Sequence, residues 1–595
     1  MEVLRKKLEA CLLILNRSSA GDANWLNDLC AELLEYATLV HSSLCSQKRN
    51  ESSELVCLCL SQILTCIRQV ENTMKLTCGT SLSVSHQYSY FLDRIRWCLK
   101  RLLHIHSEGS NGDAVAPERS FIDLVDSSLD TLALFTSHNE ENSVRSDCPK
   151  STQEVLPVSQ KLRANIDLIL SQSLGFANVA LSQDKPALSA LCQKVIRECN
   201  AFQEECKVPN PSYQSILKLR AMTLEQALCQ LEDFINDALL RLVFTCFLDF
   251  DKFSVDKIRA MLRNSSEDDA MSDEFIADFD VNIDRATQIG IFAISFAPNL
   301  RMKTMMRSCL ASFESLDTSL IPSLQAHGSE LLSDILEQHF NEEVAKFKAA
   351  LQEIIDSRAL LGCCLEILTA GISATEKLFE KQRLEDLAQI SLMLVEHFQL
   401  EVNRKVLADT TEKVGEEYYQ QFIRILRECM AILMCASQVE PQRVLKRFKI
   451  LRTILRKLHG CLSIGQQEEK LPNTLVNLLV DETSDKKIDN GDLTQFTGLT
   501  TRRGGSILYD TGRRIRVNRI KDPKLTINNL DIKSEKAKSS GNVLRRESLR
   551  TVMFKRQNIA ESRKLYTTIS NQSTDLEITD ILEQLTGMSN GYFEC

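Results

Sequence analysis

Punctuation is scarce in this chain. Its 595 residues include only 20 Gly and 11 Pro, about 5% together against an average usage nearer ~12%. Tight turns rely on residues that reach positive φ or preset a bend. With so few of them, long helical rods packed side by side are the geometry left. The clearest rod runs from Ser215 to Cys246, where Ala221, Leu224, Leu228, Leu231, Ile235, Ala238 and Leu242 recur at alternating steps of three and four. That spacing puts them on one stripe of a helix roughly 48 Å long at ~1.5 Å per residue. The stripe suits the core of an all-helical protein first, and a homodimer seam second.

The fold class expected is therefore all-α: an elongated array of antiparallel four-helix bundles sharing long helices, followed by a largely disordered basic C-terminal tail. A first block covers residues 1–107, with helices over Val3–Asn16, Trp25–Ser46, Ser53–Leu76 and Tyr88–His106. The Gly-, Ser- and Asn-rich stretch after it reads as a loop. A second block covers 118–264, with helices over Phe121–Thr136, Val155–Gly175 and Lys185–Glu205 before the long rod. Ser265–Asp284 is acidic and reads as a connector leading into a third block, 278–462, which ends in the basic segment Arg443–Lys457. Periodicity fades after Gly460, leaving 463–595 as the tail.

Composition narrows the function classes. With 44% hydrophobic and 25% charged residues, the chain has the balance of a soluble globular protein. No window of ~18 uncharged apolar residues occurs, so a soluble, cytoplasmic protein is expected, and peripheral attachment to a membrane stays open. The 21 Cys include no CxxC pair, and Cys192, Cys199 and Cys206 fall seven apart on one helical face. Reduced core thiols fit that pattern better than zinc or redox chemistry.

No Walker-type loop, GxGxxG, GxSxG or HExxH is present, so neither an enzyme nor a cofactor is expected. His104 and His106 form an isolated pair on different helix faces. Asp249-Phe250-Asp251 and Asp278-Phe279-Asp280-Val281-Asn282 open like calcium loops. Both lack the sixth-position Gly, having Ser254 and Ile283, and both lack the twelfth-position Glu, having Ala260 and Ile289.

Charge is unevenly spread. Between Thr501 and Lys564 there are 18 Lys and Arg against 6 Asp and Glu, a net +12, which leaves −21 for the remainder of a chain totalling −9. Arg502, Arg503, Arg513, Arg514, Arg516, Arg519, Arg545 and Arg546 are the candidate residues for an anionic surface: actin filaments, acidic phospholipid or nucleic acid. Few aromatics interleave them, which disfavours base stacking and nucleic acid. Arg545-Arg546-Glu547-Ser548 matches an arginine-directed kinase pattern and Arg502-Arg503-Gly504-Gly505-Ser506 a looser one. Phosphate on Ser506 or Ser548 would weaken attraction to such a surface.

The stretch Ala286–Leu324 has small residues on one helix (Ile289, Gly290, Ala293, Ala297), a short polar turn, and a second helix through Met305, Cys309 and Leu316 closing at Ile321-Pro322. It resembles the vinculin/α-catenin superfamily, as does the following Leu331–Ile355. Chain size, the Cys-rich amino-terminal half and the short carboxy-terminal region place it nearest an insect branch of that superfamily. The resemblance implies a non-enzymatic adaptor of cortical actin at the plasma membrane, with roles in cell adhesion or in membrane invagination (cellularisation) of the early embryo. It also implies a helical protein partner for an amino-terminal bundle. The irregular 463–595 departs from the superfamily's five-helix tail, so filament contact would come from the basic tail, from Arg443–Lys457 or through another protein. A helical scaffold for trafficking or signalling is the other reading, disfavoured because no repeat of ~34–47 residues is found.

Overall fold

Helices with one apolar stripe are stable only when another stripe covers it, and that requirement organises this chain. The computed structural model describes residues 2–16, 23–46, 51–77, 88–107, 119–136, 152–207, 213–264, 270–297, 299–326, 330–408, 414–435 and 439–464. Among them every regular element is helical, as the fold class read from the sequence requires. The chain divides into two compact units with the boundary between Ile354 and Ile355. That boundary falls inside the block 278–462.

The first unit opens with α1 (Glu2–Leu15), α2 (Ala23–Ser46), α3 (Glu51–Thr77) and α4 (Ser89–Ser107). Helix α1 packs on α2 and α4, and α3 packs on α4. Leu8, Cys11, Leu29, Leu33, Ile67, Phe91 and Leu99 are fully buried among them. The Trp25 ring N–H closes the α1–α2 corner by donating to the Ile14 carbonyl at 2.8 Å.

A closed ring of four follows: α5 (Phe121–Thr136), α6 (Thr152–Val179), α7 (Lys185–Glu205) and α8 (Tyr213–Lys252). Each packs on the next, and α8 returns to α5. Helix α8 is 40 residues long, about 60 Å at ~1.5 Å per residue, and outlasts this bundle. Its last turns meet α10 (Ala270–Ile294), which continues the packing through α11 (Leu300–Asp317) to α13 (Glu330–Ile354). Short α9 (Val255–Asn264) and α12 (Leu320–Gln325) fill the connections. The seven stripe residues of the rod are all buried, none more than 2% exposed. The chain's own helices fill that seam.

The rod runs further than Cys246 because Asp249-Phe250-Asp251 continues it. Phe250 is buried, Asp249 pairs with Arg285 at 2.6 Å, and Lys348 reaches Asp251 at 3.3 Å. In the resembling stretch, a Cβ on Gly290 would lie 2.7 Å from Leu310 Cδ2, so the small residue permits the close approach of α10 to α11. Asn299 caps α11 by accepting from Met302 N at 2.8 Å. Pro322 is the third residue of α12, where its missing N–H is not needed.

The second unit is α14 (Ser357–Lys377), α15 (Lys381–Gln399), α16 (Glu401–Ala408), α17 (Val414–Met434) and α18 (Pro441–Ile464). Helices α14, α15, α17 and α18 close a ring, with α16 on α15 and α17. Asp356 starts it, accepting from Arg358 N and Ala359 N at 2.9 and 3.0 Å. Ser53–Leu76 and Ser357–Lys377 are long and apolar enough to cross a bilayer by composition. In the fold their apolar faces are covered by neighbouring helices.

Two glycines predict opposite outcomes. A Cβ on Gly371 would sit 2.8 Å from both δ-carbons of the buried Leu387, so Gly371→Ala should destabilise by ~1–3 kcal/mol. Nothing lies within 4 Å of a Cβ on the helical Gly460, so Gly460→Ala should stabilise by ~0.4–1 kcal/mol. Denaturant unfolding of the two variants beside the parent checks both signs.

Candidate anionic-surface interface

Helix α18 combines a regular apolar stripe with charged residues that are all cationic. Val444, Phe448, Leu451, Leu455, Leu458 and Leu462 step by four and three and are all buried against α14 and α17. Pro441 occupies the first helical position, where its fixed φ favours initiation. The other faces carry seven Lys and Arg and no Asp or Glu in 24 residues. Because the stripe is committed to the bundle, those cations are forced outward: Arg443, Lys446, Lys449, Arg456 and Lys457 are exposed.

Neutralisation of this ridge is incomplete. Arg447 pairs with Glu428 of α17 at 2.9 Å and Lys449 with Glu376 of α14 at 2.5 Å. Lys457 lies 5.7 Å over the Tyr418 ring. Among the described residues, Lys446, Arg452 and Arg456 have no acidic partner, and the buried Arg452 Nε lacks an acceptor. Arg358 of α14 braces the far end by donating to the Leu462 carbonyl at 2.6 Å. Beside it His459 is buried, and burial, reinforced by the Arg358 charge, pushes its pKa down to about 4. A neutral imidazole therefore sits under the cationic surface.

The tail candidates Arg502, Arg503, Arg513, Arg514, Arg516, Arg519, Arg545 and Arg546, with Ser506 and Ser548, lie outside the described residues. His104 and His106 are not brought to a shared ligand: His106 Nε2 meets the Tyr36 hydroxyl at 2.7 Å. Among the described residues no cluster of three or more His, Cys, Asp or Glu could hold a metal ion. Asp249 and Asp251 are helical, and a helix cannot wrap a cation as a calcium loop does.

One constellation escaped the sequence reading. Ser357 Oγ lies 2.8 Å from His397 Nε2. Asn403 Nδ2 faces His397 Nδ1 at 3.2 Å and donates to the His397 carbonyl at 2.9 Å. Ser357, His397 and Asn403 are all buried. Their contact ties the start of α14 to the end of α15 and to α16. It joins residues 40 apart, a separation that carries no local signal.

Residues 1–495 match the family described as Serendipity locus alpha protein (SRY-A). The chain belongs to that family. It is 36% identical over 479 residues to Serendipity locus protein alpha of Drosophila virilis, covering 77% of this chain and 87% of that protein. To the Drosophila subobscura protein it is 34% identical over 479 residues, covering 78% and 85%. Among solved structures, the M domain of HMP-1 superposes with a TM-score of 0.39 at 10% identity, covering 58% of this chain and 98% of that one. A vinculin homologue from a sponge (phylum Porifera) gives 0.46 at 12% identity, covering 79% and 59%.

His459 fixes a pH dependence for this Serendipity alpha chain. Its folded pKa is below the ~6.5 of an unfolded His, so protons bind the unfolded state preferentially. Stability contributed by the neutral, buried ring is present above ~6.5 and is lost as pH falls toward about 4, by up to roughly 3 kcal/mol. Unfolding free energies across that window should fall less steeply for His459→Leu than for the parent.

Proposed function

We propose that this chain is a non-enzymatic cytoskeletal adaptor of the vinculin type. It organises cortical actin filaments at the cytoplasmic face of the plasma membrane, where that membrane invaginates in the early embryo. The observation that carries the reading is the incompletely neutralised cationic ridge of α18. A closed helical bundle holds those charges in a fixed array, so a repeating acidic surface such as a filament meets several of them at once without ordering a flexible segment first. Membership of the Serendipity alpha family and the resemblance of Ala286–Leu324 to vinculin/α-catenin proteins support the same reading.

Such contact is driven by charge and is screened by salt. Full-length protein should pellet with actin filaments, less so as ionic strength rises. Lys446→Glu combined with Arg456→Glu should weaken that affinity roughly tenfold, since each reversed charge turns attraction into repulsion. A protein ending just before Thr501 separates the ridge from the tail. If the truncation abolishes pelleting and the double substitution does not, the contact belongs to the tail. Absence of pelleting in the full-length protein would sink direct filament binding.

A further inference from the structure

The chain has two Trp, and the fold treats them oppositely. Trp25 is 3% exposed with its ring N–H bonded to the Ile14 carbonyl. Trp97, in the middle of α4, is 55% exposed, and among the described residues no acceptor meets its ring nitrogen. One face of the ring has a neighbour, the Arg94 guanidinium lying over it 5.0 Å from its centroid. Arg94 is itself tied down, donating to Gln62 Oε1 at 3.1 Å and to the Ala311 carbonyl at 3.0 Å. The indole is thus held in a defined place at the surface by a residue anchored in the core.

Its surroundings are cationic. Lys100 and Arg101, one turn further on, are exposed and have no acidic partner among the described residues. Asp93, the one acidic residue of α4, is spent on Arg96. The buried face of α4, from Phe91 through Ile95 and Leu99 to Leu102, is already covered by the bundle. An exposed indole with a free N–H among unpaired cations fits the interfacial layer of an acidic bilayer. There the ring sits among headgroups and the cations meet anionic phosphates. A protein partner with an acidic face would satisfy the cations, but it would offer the amphipathic ring no layered apolar-to-polar environment.

We propose that the exposed face of α4, centred on Trp97 with Lys100 and Arg101, docks the protein onto a bilayer containing anionic phospholipid, with the indole placed at headgroup depth. This deepens the adaptor reading by giving its peripheral membrane contact a location, and it rests on that reading. The two are tested by different measurements, since filament pelleting does not report on α4.

Because Trp25 is sealed in the core, a change in tryptophan emission reports on Trp97. The full-length protein is titrated with phosphatidylcholine vesicles and with vesicles that also contain phosphatidylserine. The expected result is a blue shift and protection from acrylamide quenching with the anionic vesicles alone. Lys100→Glu with Arg101→Glu should raise the lipid concentration at half-saturation at least tenfold. Trp97→Ala should weaken vesicle pelleting several-fold with an unchanged helical signal, and Trp97→Phe should keep most of it. Vesicle pelleting with unaltered Trp97 emission would overturn the proposal and assign the membrane contact to another segment. So would an equal emission shift with soluble glycerophosphoserine, which would mean headgroup binding without a bilayer.

Discussion

One continuous apolar stripe on α8 ties the first unit together. Had the chain broken near Cys246, the bundle of α5–α8 and the packing of α10, α11 and α13 would be separate modules on a linker. Instead the helix runs on to Lys252, and the same rod contributes to both. The junction is reinforced by polar contacts that make sense only on an unbroken helix. Asn282 Nδ2 donates to the Cys246 carbonyl at 3.2 Å, and Arg285 pairs with Asp249. Burial holds Asp249 above the ordinary carboxylate range, with the Arg285 charge opposing it. That acid is costly to bury and is kept there by its partner, so displacing α10 would strand a charge.

A second constraint is chemically different. Helices α3 and α4 meet α11 through side-chain amides and hydroxyls. Gln62, 3% exposed, donates to the Ser308 carbonyl and hydroxyl, both at 2.8 Å, and to Ser312 Oγ at 3.1 Å. Tyr90 donates to Ser315 at 2.8 Å, and Glu54 receives Lys303 at 3.0 Å and Arg307 at 2.5 Å. Apolar stripes tolerate sliding by a turn, whereas such bonds fit one register. The amino-terminal helices are therefore positioned by specific polar pairs, while the bundles themselves are held by bulk burial.

That difference explains what the sequence revealed. Helices over Phe121–Thr136 and Lys185–Glu205 were legible to the residue, because apolar periodicity and a scarcity of breakers are local properties. The core role of the thiols was legible for the same reason: burial pushes Cys11 and Cys30 up to about 12, which leaves them protonated and unreactive. Gln62 with Ser308, 246 residues apart, was not legible, since a polar residue on a helix looks solvated until its partner is known. Ser357 with His397 escaped notice likewise. The basic segment Arg443–Lys457 was visible as charge, but which of its cations lack partners depends on Glu376 and Glu428 from other helices.

The surface charges separate along the same line. Many cations among the described residues face an acid on a neighbouring turn, as Arg163 does with Asp167 and Lys381 with Glu385. Exposed pairs of this kind contribute little to stability, but they leave little net field at the surface. Lys446 and Arg456 on α18, and Lys100 and Arg101 on α4, have no such acid among the described residues. Unpaired cations fixed on rigid helices repel one another and weaken the fold slightly. The buried stripe of each helix sets the orientation of its own cations, so an anionic surface that meets either helix finds that helix's charges already in place.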